Sequence, residues 1–327
     1  MFWNNQSNSL MEGVSSAKTV ENDGSQPMKI GIAFGAGAAK GWAHIGVIKR
    51  LEQAGIVPDV IAGASIGALC GGCYAAGKID DLETFALGLT RRKVFSLMDF
   101  SWRGSGLISG NRLGQMLEVE LGETQIEDLD RPFMCIATEL STGHEIWLQS
   151  GHLATAIRAS YALPGVFKPI HFNDMWLIDG AVVNPIPVST CRALGARVVI
   201  AVNLNTDSFG AGTVMQTPVE NTGSSEMDDA DTAEQARNAF VHQLFGDANS
   251  GPGITTVLVA AFNISQDRLA RSRLAGDPPD VTILPRSPQV GIFDFDKAEE
   301  SIAAGWEAAD RALPDINQAM VSLRQGS

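Results

Sequence analysis

The sequence predicts an α/β domain in which a parallel sheet carries helices on both faces. Three observations carry that expectation. Short apolar runs alternate with segments of helical period at close spacing over residues 29–76. Glycine clusters sit between them, where a strand must reverse sharply into a helix. The 327 residues are 45% hydrophobic and 19% charged, a composition that builds a sizeable core.

Residues 1–27 are polar, rich in Ser and Asn, and read as a flexible N-terminal tail. They have neither a basic start nor an apolar centre, so they do not fit a secretory signal. Residues 29–34 read as the first buried strand. The glycine loop 35–41 leads into a helix with Trp42, Ile45, Ile48 and Leu51 at helical spacing, ended by Gly55. Residues 60–62 make a second strand, 63–67 a sharp turn and 66–76 a small-residue helix. Helices are expected over 80–90 and 111–121, with a flexible glycine loop, 104–110, between them.

Strands 133–139 and 145–149 follow, then a helix at 152–161 that halts before Pro164. Residues 170–172 and 175–178 read as a hairpin around Asn173 and Asp174. A helix at 188–194 and a buried strand at 198–204 complete a core spanning 28–205. Residues 206–236 hold Asp207, Glu220, Glu226, Asp228, Asp229, Asp231 and Glu234 with no Lys or Arg, and read as an acidic mobile loop. Residues 237–327 read as the mainly helical C-terminal part of the same domain, with a late strand at 281–284. The last helix opens on a capping-box-like pair, Asp296 and Glu299, and carries Ala298, Ile302, Trp306, Ala309 and Leu313 as its apolar stripe.

Charge and cysteine usage exclude several function classes. The formal net charge is −13, which suits neither nucleic acid nor anionic lipid, since both are bound through Lys and Arg. Four cysteines in so long a chain are not a disulfide framework. The Cys70-Gly-Gly-Cys73 spacing imitates a redox motif, but it lies inside a small-residue run, where buried packing is the preferred reading. No run of about 18 apolar residues offers a membrane span. A cytoplasmic protein is expected, with any membrane contact peripheral.

Three motifs carry chemistry. Gly63-Ala64-Ser65-Ile66-Gly67 is a G-x-S-x-G match between a predicted strand and a predicted helix. The serine must stand exposed on a tight turn, and Gly63 and Gly67 remove the clashes such a turn creates. The helix that starts at Ile66 points its positive end toward the site. The second motif is Gly35-Ala36-Gly37-Ala38-Ala39-Lys40-Gly41, again between strand and helix, where small residues let backbone N–H groups approach an anion. It reads either as an oxyanion hole or as a dinucleotide fingerprint. A dinucleotide fold wants an acidic residue after the second strand, and this chain has Ser65 there. The third motif is Asp179-Gly180-Ala181, a plain turn or the carboxylate partner of Ser65. His144, His152, His171 and His242 follow the serine, but none lies in the glycine-rich loop expected of a triad histidine.

A glycine-rich loop with a basic residue before its last glycine, then G-x-S-x-G, then D-G-A, in that order, resembles the patatin-like phospholipase family, in particular its bacterial members. Gly41-Trp-Ala-His-Ile-Gly-Val47, Ala156-Ile-Arg-Ala-Ser-Tyr-Ala-Leu-Pro-Gly165 and Trp176-Leu-Ile-Asp-Gly-Ala-Val-Val-Asn-Pro185 are similar to blocks of that family. The resemblance implies a three-layer α/β/α fold on a mostly parallel sheet. It implies a Ser-Asp dyad without histidine: Ser65 as nucleophile, Asp179 as general base, and the N–H groups of Gly37 and Ala38 as oxyanion hole. The family often has consecutive glycines where Ala36 and Ala38 stand, so Ala38 is expected to offer its N–H from a negative φ.

The implied activity is hydrolysis of lipid acyl esters without metal or cofactor, on a phospholipid, lysophospholipid or simpler ester. Lys40 would stiffen the loop, meet a lipid phosphate or stay solvated. Phe95, Leu107, Ile108 and Phe167 are candidates for an apolar channel, or for ordinary core. Two alternatives stand beside the dyad hydrolase: a catalytically silent regulatory or lipid-binding protein on the same fold, and a histidine-dependent esterase.

Overall fold

The computed structural model describes residues 29–97, 106–108, 110–205 and 254–325. The expected N-terminal tail, the acidic loop, the segment 237–253 with His242, and residues 104–105 and 109 of the glycine loop lie outside the described residues.

Strand β1 (Ile30–Phe34) leads through a 3-10 turn (Ala38–Trp42) into α1 (Ala43–Gln53). β2 (Val60–Ala64) leads directly into α2 (Ile66–Ala75). Then come α3 (Ile79–Leu87), α4 (Arg91–Leu97), β3 (Gly106–Ile108) and α5 (Asn111–Leu121). β4 (Phe133–Glu139), β5 (Glu145–Leu148), α6 (Leu153–Ser160), β6 (Gly165–Phe167), β7 (Ile170–Phe172) and β8 (Met175–Asp179) follow. The described chain ends with α7 (Val188–Ala193), β9 (Val198–Val202), α8 (Ile254–Gly276), β10 (Val281–Ile283) and α9 (Ala298–Gln325).

The main sheet runs β10-β9-β1-β2-β4-β8-β7, with β5 also on β4. The pairs from β10 to β4 are parallel, while β4–β8, β8–β7 and β4–β5 are antiparallel. Alternation along each central strand divides the core in two. Ile30, Ile32, Phe34, Ile61, Ile200 and Val202 point to one face, under α1, α2, α6 and α9. Ala33, Val60, Ala62, Val199 and Ala201 point to the other, under Cys191 of α7 and Ala270 of α8. That is the three-layer α/β/α arrangement on a mostly parallel sheet. Both faces are covered, which explains why the central strands read as continuous apolar runs.

The hairpin forms as expected, with Asn173 at φ 46 and Asp174 at φ 62, the paired positive values a two-residue type I′ turn demands. Other expectations need correction. The glycine loop at 104–110 contains a strand: β3 pairs in parallel with β6, Gly106 opposite Gly165 and Ile108 opposite Phe167. Three-residue strands carry too little pattern to be read from periodicity. The helix expected over 80–90 is shorter and is followed by α4. The last helix begins at Ala298, and the Asp296 carboxylate pairs with Arg91 at 3.3 Å instead of capping it. All four cysteines are buried, free thiols.

Candidate active site

The site lies at the carboxyl ends of β1 and β2, where ligands bind in open parallel sheets. These two strands are neighbours, with Phe34 opposite Gly63, so their following turns stand side by side. Asp179 arrives from a third strand. β8 runs antiparallel to β4 and brings Asp179 opposite Ala137, one residue beyond Ile136, which faces Ala64 of β2. The carboxylate therefore sits one strand across from the serine turn.

Ser65 holds φ 56 and ψ −125, a conformation that L-residues avoid at a cost of about 1–3 kcal/mol. Only a tight turn locked on both sides keeps it there. Gly67 supplies one lock: a Cβ on it would stand 2.2 Å from the Phe34 carbonyl oxygen, so α2 begins pressed against the end of β1. Ser160 supplies another, its Oγ accepting the Ser65 N–H at 3.0 Å. Gly180 lies against β4 so closely that a Cβ would stand 2.0 Å from the Ile136 carbonyl oxygen. Gly63 is the next-to-last residue of β2 and packs against Gly67.

The Ser65 Oγ–H donates to Asp179 Oδ2 at 2.7 Å. The other oxygen, Oδ1, accepts the Ala181 N–H at 2.8 Å, and the Asp179 backbone carbonyl accepts the Thr138 hydroxyl at 2.9 Å. Asp179 is 1% exposed. Burial lifts its carboxyl from the usual 3.8 to about 7, against the opposing pull of the Ser65 and Ala181 hydrogen bonds. It is thus poised to hold or release a proton near neutrality.

The loop after β1 stands beside this pair. Gly35 N–H bonds the Val202 carbonyl at 3.1 Å and Ala36 N–H the Pro185 carbonyl at 2.9 Å. Lys40 N–H closes the turn on the Gly37 carbonyl at 3.2 Å, and Ala39 N–H bonds the Ile292 carbonyl at 3.1 Å. Among the described residues the N–H groups of Gly37 and Ala38 meet no backbone carbonyl, and both residues line the same cavity as Ser65 and Asp179. Gly41 packs on Ile66 of α2. One expectation is overturned: Ala38 has φ +49, not a negative value. The loop must fold back at once into the 3-10 turn, and the residue at that reversal takes the left-handed conformation whether or not it is glycine.

His44 was not singled out by the sequence, although it lies in the block from Gly41 to Val47. It is fully buried behind the loop, and its Nε2–H donates to the Gly35 carbonyl at 2.7 Å. Burial lowers its pKa to about 4, partly offset by that hydrogen bond, so the ring is neutral. The other histidines are elsewhere. His144 bonds Thr142, His152 bonds Gly122 and Thr155, and His171 packs edge-on to Trp176. Among the described residues no histidine lines the cavity, and no group of three or more His, Cys, Asp or Glu could hold a metal ion.

The cavity encloses about 900 Å³, part of it open to solvent. Ser65, Asp179, Gly37 and Ala38 form its polar end. The remainder is mostly apolar, with Leu69, Leu113, Phe167, Phe262 and Phe295 among its walls, interrupted by Asn263 and Gln266 of α8. Phe167 thus lines the cavity, against the preferred expectation of ordinary core packing; the side chains of Phe95, Leu107 and Ile108 lie outside the described residues. α8 forms one wall and is tied to the aspartate turn by Arg273, which donates to the Val183 carbonyl at 2.9 Å and pairs with Glu145 at 3.1 Å. Among the described residues the buried Tyr161 hydroxyl has no hydrogen-bond partner, and Tyr161 also lines the cavity.

Comparison with known proteins places this geometry. Residues 32–192, which include Ser65 and Asp179, match the family model described as patatin-like phospholipase. An uncharacterized NTE family protein of Mycobacterium tuberculosis is 31% identical over 334 aligned positions, covering 89% of this chain and 92% of its own. A lysophospholipase, nte1, of Emericella nidulans is 33% identical over 190 residues, which are 54% of this chain and 12% of that protein. The crystal structure of VipD from Legionella pneumophila superposes with a TM-score of 0.52 at 14% identity, covering 88% of this chain and 67% of that one, a likeness of fold. On its sequence, its sheet and its relatives, this chain belongs to the patatin-like phospholipase family.

Proposed function

We propose that the protein is a serine hydrolase of lipid acyl esters, of the phospholipase A, lysophospholipase or esterase type, working through a Ser65–Asp179 dyad. The observation that carries this reading is the 2.7 Å hydrogen bond from Ser65 Oγ to Asp179 Oδ2 at the polar end of an apolar cavity. The family's name and that of the Emericella relative, a lysophospholipase, support the substrate class.

The steps follow from the groups in place. Asp179 takes the Ser65 proton as Oγ attacks the ester carbonyl carbon. The oxygen of that carbonyl gains negative charge and turns toward the amides of Gly37 and Ala38, a stabilisation usually dominant in acyl transfer. Asp179 returns the proton to the departing alcohol, leaving an acyl group on Ser65. Water, deprotonated by the same carboxylate, then releases the fatty acid. A carboxylate of ordinary pKa is a weak base for this work; one lifted to about 7 is matched to it. Lys40 contributes its backbone, which closes the amide loop. No helix among the described residues is long and apolar enough to cross a membrane.

A mass-spectrometric screen of phospholipids, lysophospholipids and neutral esters tests this. Release of fatty acid is expected from at least one class with the native protein and from none with Ser65→Ala. Equal release by both would refute the dyad; binding without release would favour the catalytically silent alternative.

A further inference from the structure

The cavity at Ser65 has a neighbour. A second pocket of about 520 Å³, part of it open to solvent, lies among α2, α3 and α5, and Leu69 and Leu113 line both. The sequence explains why the two are in line. Leu69 and Cys73 are four apart on one stripe of α2, and Ser65 stands just before that helix begins. Leu113, Met116, Leu117 and Glu120 recur at three and four residues along the facing side of α5. The two stripes line one pocket, and Leu69 to Cys73 spans about 6 Å at the rise of a helix. Leu82 and Phe85 of α3 give it a third apolar side. At the far end the walls become charged: Lys78, Asp81 and Glu120 line it, with Lys78 Nζ 3.2 Å from the Asp81 carboxylate.

We infer that this second pocket receives the distal part of a long, unbranched acyl chain, which passes between Leu69 and Leu113 while its ester carbonyl lies at Ser65. A pocket whose walls are apolar apart from Lys78, Asp81 and Glu120 suits a hydrocarbon chain better than a polar head group. Cys73 fits the role, since burial pushes its thiol up to about 12 and keeps it neutral. The inference rests on the hydrolase reading for its chemistry, but its geometry concerns chain length alone.

The experiment compares kcat/KM for 4-nitrophenyl butyrate, octanoate and palmitate in the native protein and in Met116→Phe and Met116→Trp. Met116 lines only the second pocket and is 38% exposed, so a larger side chain can enter without disturbing the core. Each methylene buried is worth about four-fold, so the native protein favours palmitate over butyrate. The palmitate-to-butyrate ratio is expected to fall in Met116→Phe and by at least ten-fold in Met116→Trp. An unchanged ratio overturns the inference while leaving the hydrolase intact. A parallel measurement needs no turnover: palmitate displacing a fluorescent fatty acid from Ser65→Ala protein, with and without Met116→Trp. Weaker displacement with Trp supports the pocket even where no ester is cleaved, an outcome that would sink the hydrolase reading alone; equal displacement overturns the pocket.

Discussion

The turn after β2 puts a side chain at the cavity, while the loop after β1 puts backbone amides there. The two are built alike. Each joins a central strand to a helical turn, and each holds one non-glycine residue at positive φ, Ser65 at 56 and Ala38 at 49. In the first, the unusual backbone aims a hydroxyl at a buried carboxylate. In the second, it turns the chain so that Ala39 and Lys40 find carbonyl partners while Gly37 and Ala38 line the cavity. The difference teaches where function is vulnerable. A single side-chain replacement removes the hydroxyl of one turn, whereas the other presents backbone amides that no side-chain truncation deletes.

Asp179→Asn gives the largest effect on the side-chain turn. The kcat/KM for ester hydrolysis is expected to fall by about 10³-fold or more, because the amide accepts no proton. Stability moves the other way. Since the folded pKa is raised from 3.8 to about 7, the native fold favours the protonated acid. That contribution is complete below about 3.8 and fades as pH rises to about 7, beyond which a buried charge strains the fold. Asparagine removes this cost. Thermal melts should show the variant more stable than the native protein at pH 8, by up to a few kcal/mol, and less so at pH 5. A variant stabilised equally at both pH values would show that the carboxyl is ordinary.

Ser160→Ala tests the lock beneath the same turn. The Ser65 N–H loses its acceptor, so urea denaturation should report about 1–3 kcal/mol of lost stability. Ester hydrolysis should fall by about ten-fold through loosened aim, chiefly in kcat. The smallest effect belongs to the amide loop. Ala38→Gly relieves a left-handed alanine but loosens the unfolded chain, and the two terms nearly cancel, leaving stability within about 0.5 kcal/mol. Ala68→Gly in the interior of α2 has no strain to relieve and should cost about 1 kcal/mol or more. Matching losses at 38 and 68 would break the contrast between the two regions.

Much of this was legible beforehand, for identifiable reasons. The central strands are short and apolar, and glycines stand where a strand turns sharply into a helix. Ser65 and Asp179 are visible because a hydroxyl and a carboxylate each stand beside small residues at the end of a strand. Ser160 was not, since its partner lies 95 residues away and a serine at the end of a helix has no local signature. His44 was hidden for the opposite reason: buried on a helix at apolar spacing, it passes for packing, and only its bond to Gly35 separates it from that. The walls from α8 and from the segment near Phe295 depend on long-range packing that periodicity does not carry. Ala38 shows the limit for backbone-borne sites. Residue type suggested a negative φ, but the demand of the loop overrode the preference of alanine.

The central claim is that a buried carboxyl with a pKa near 7 activates Ser65. Its most direct test is the rate at which a fluorophosphonate probe labels the protein between pH 5 and 9, with the modified peptide identified by mass spectrometry. Labelling at Ser65 should quicken about ten-fold per pH unit below about 7 and level off above it, and in Asp179→Asn it should be slow and flat. A label on another residue, or a native rate indifferent to pH across that range, would contradict the account.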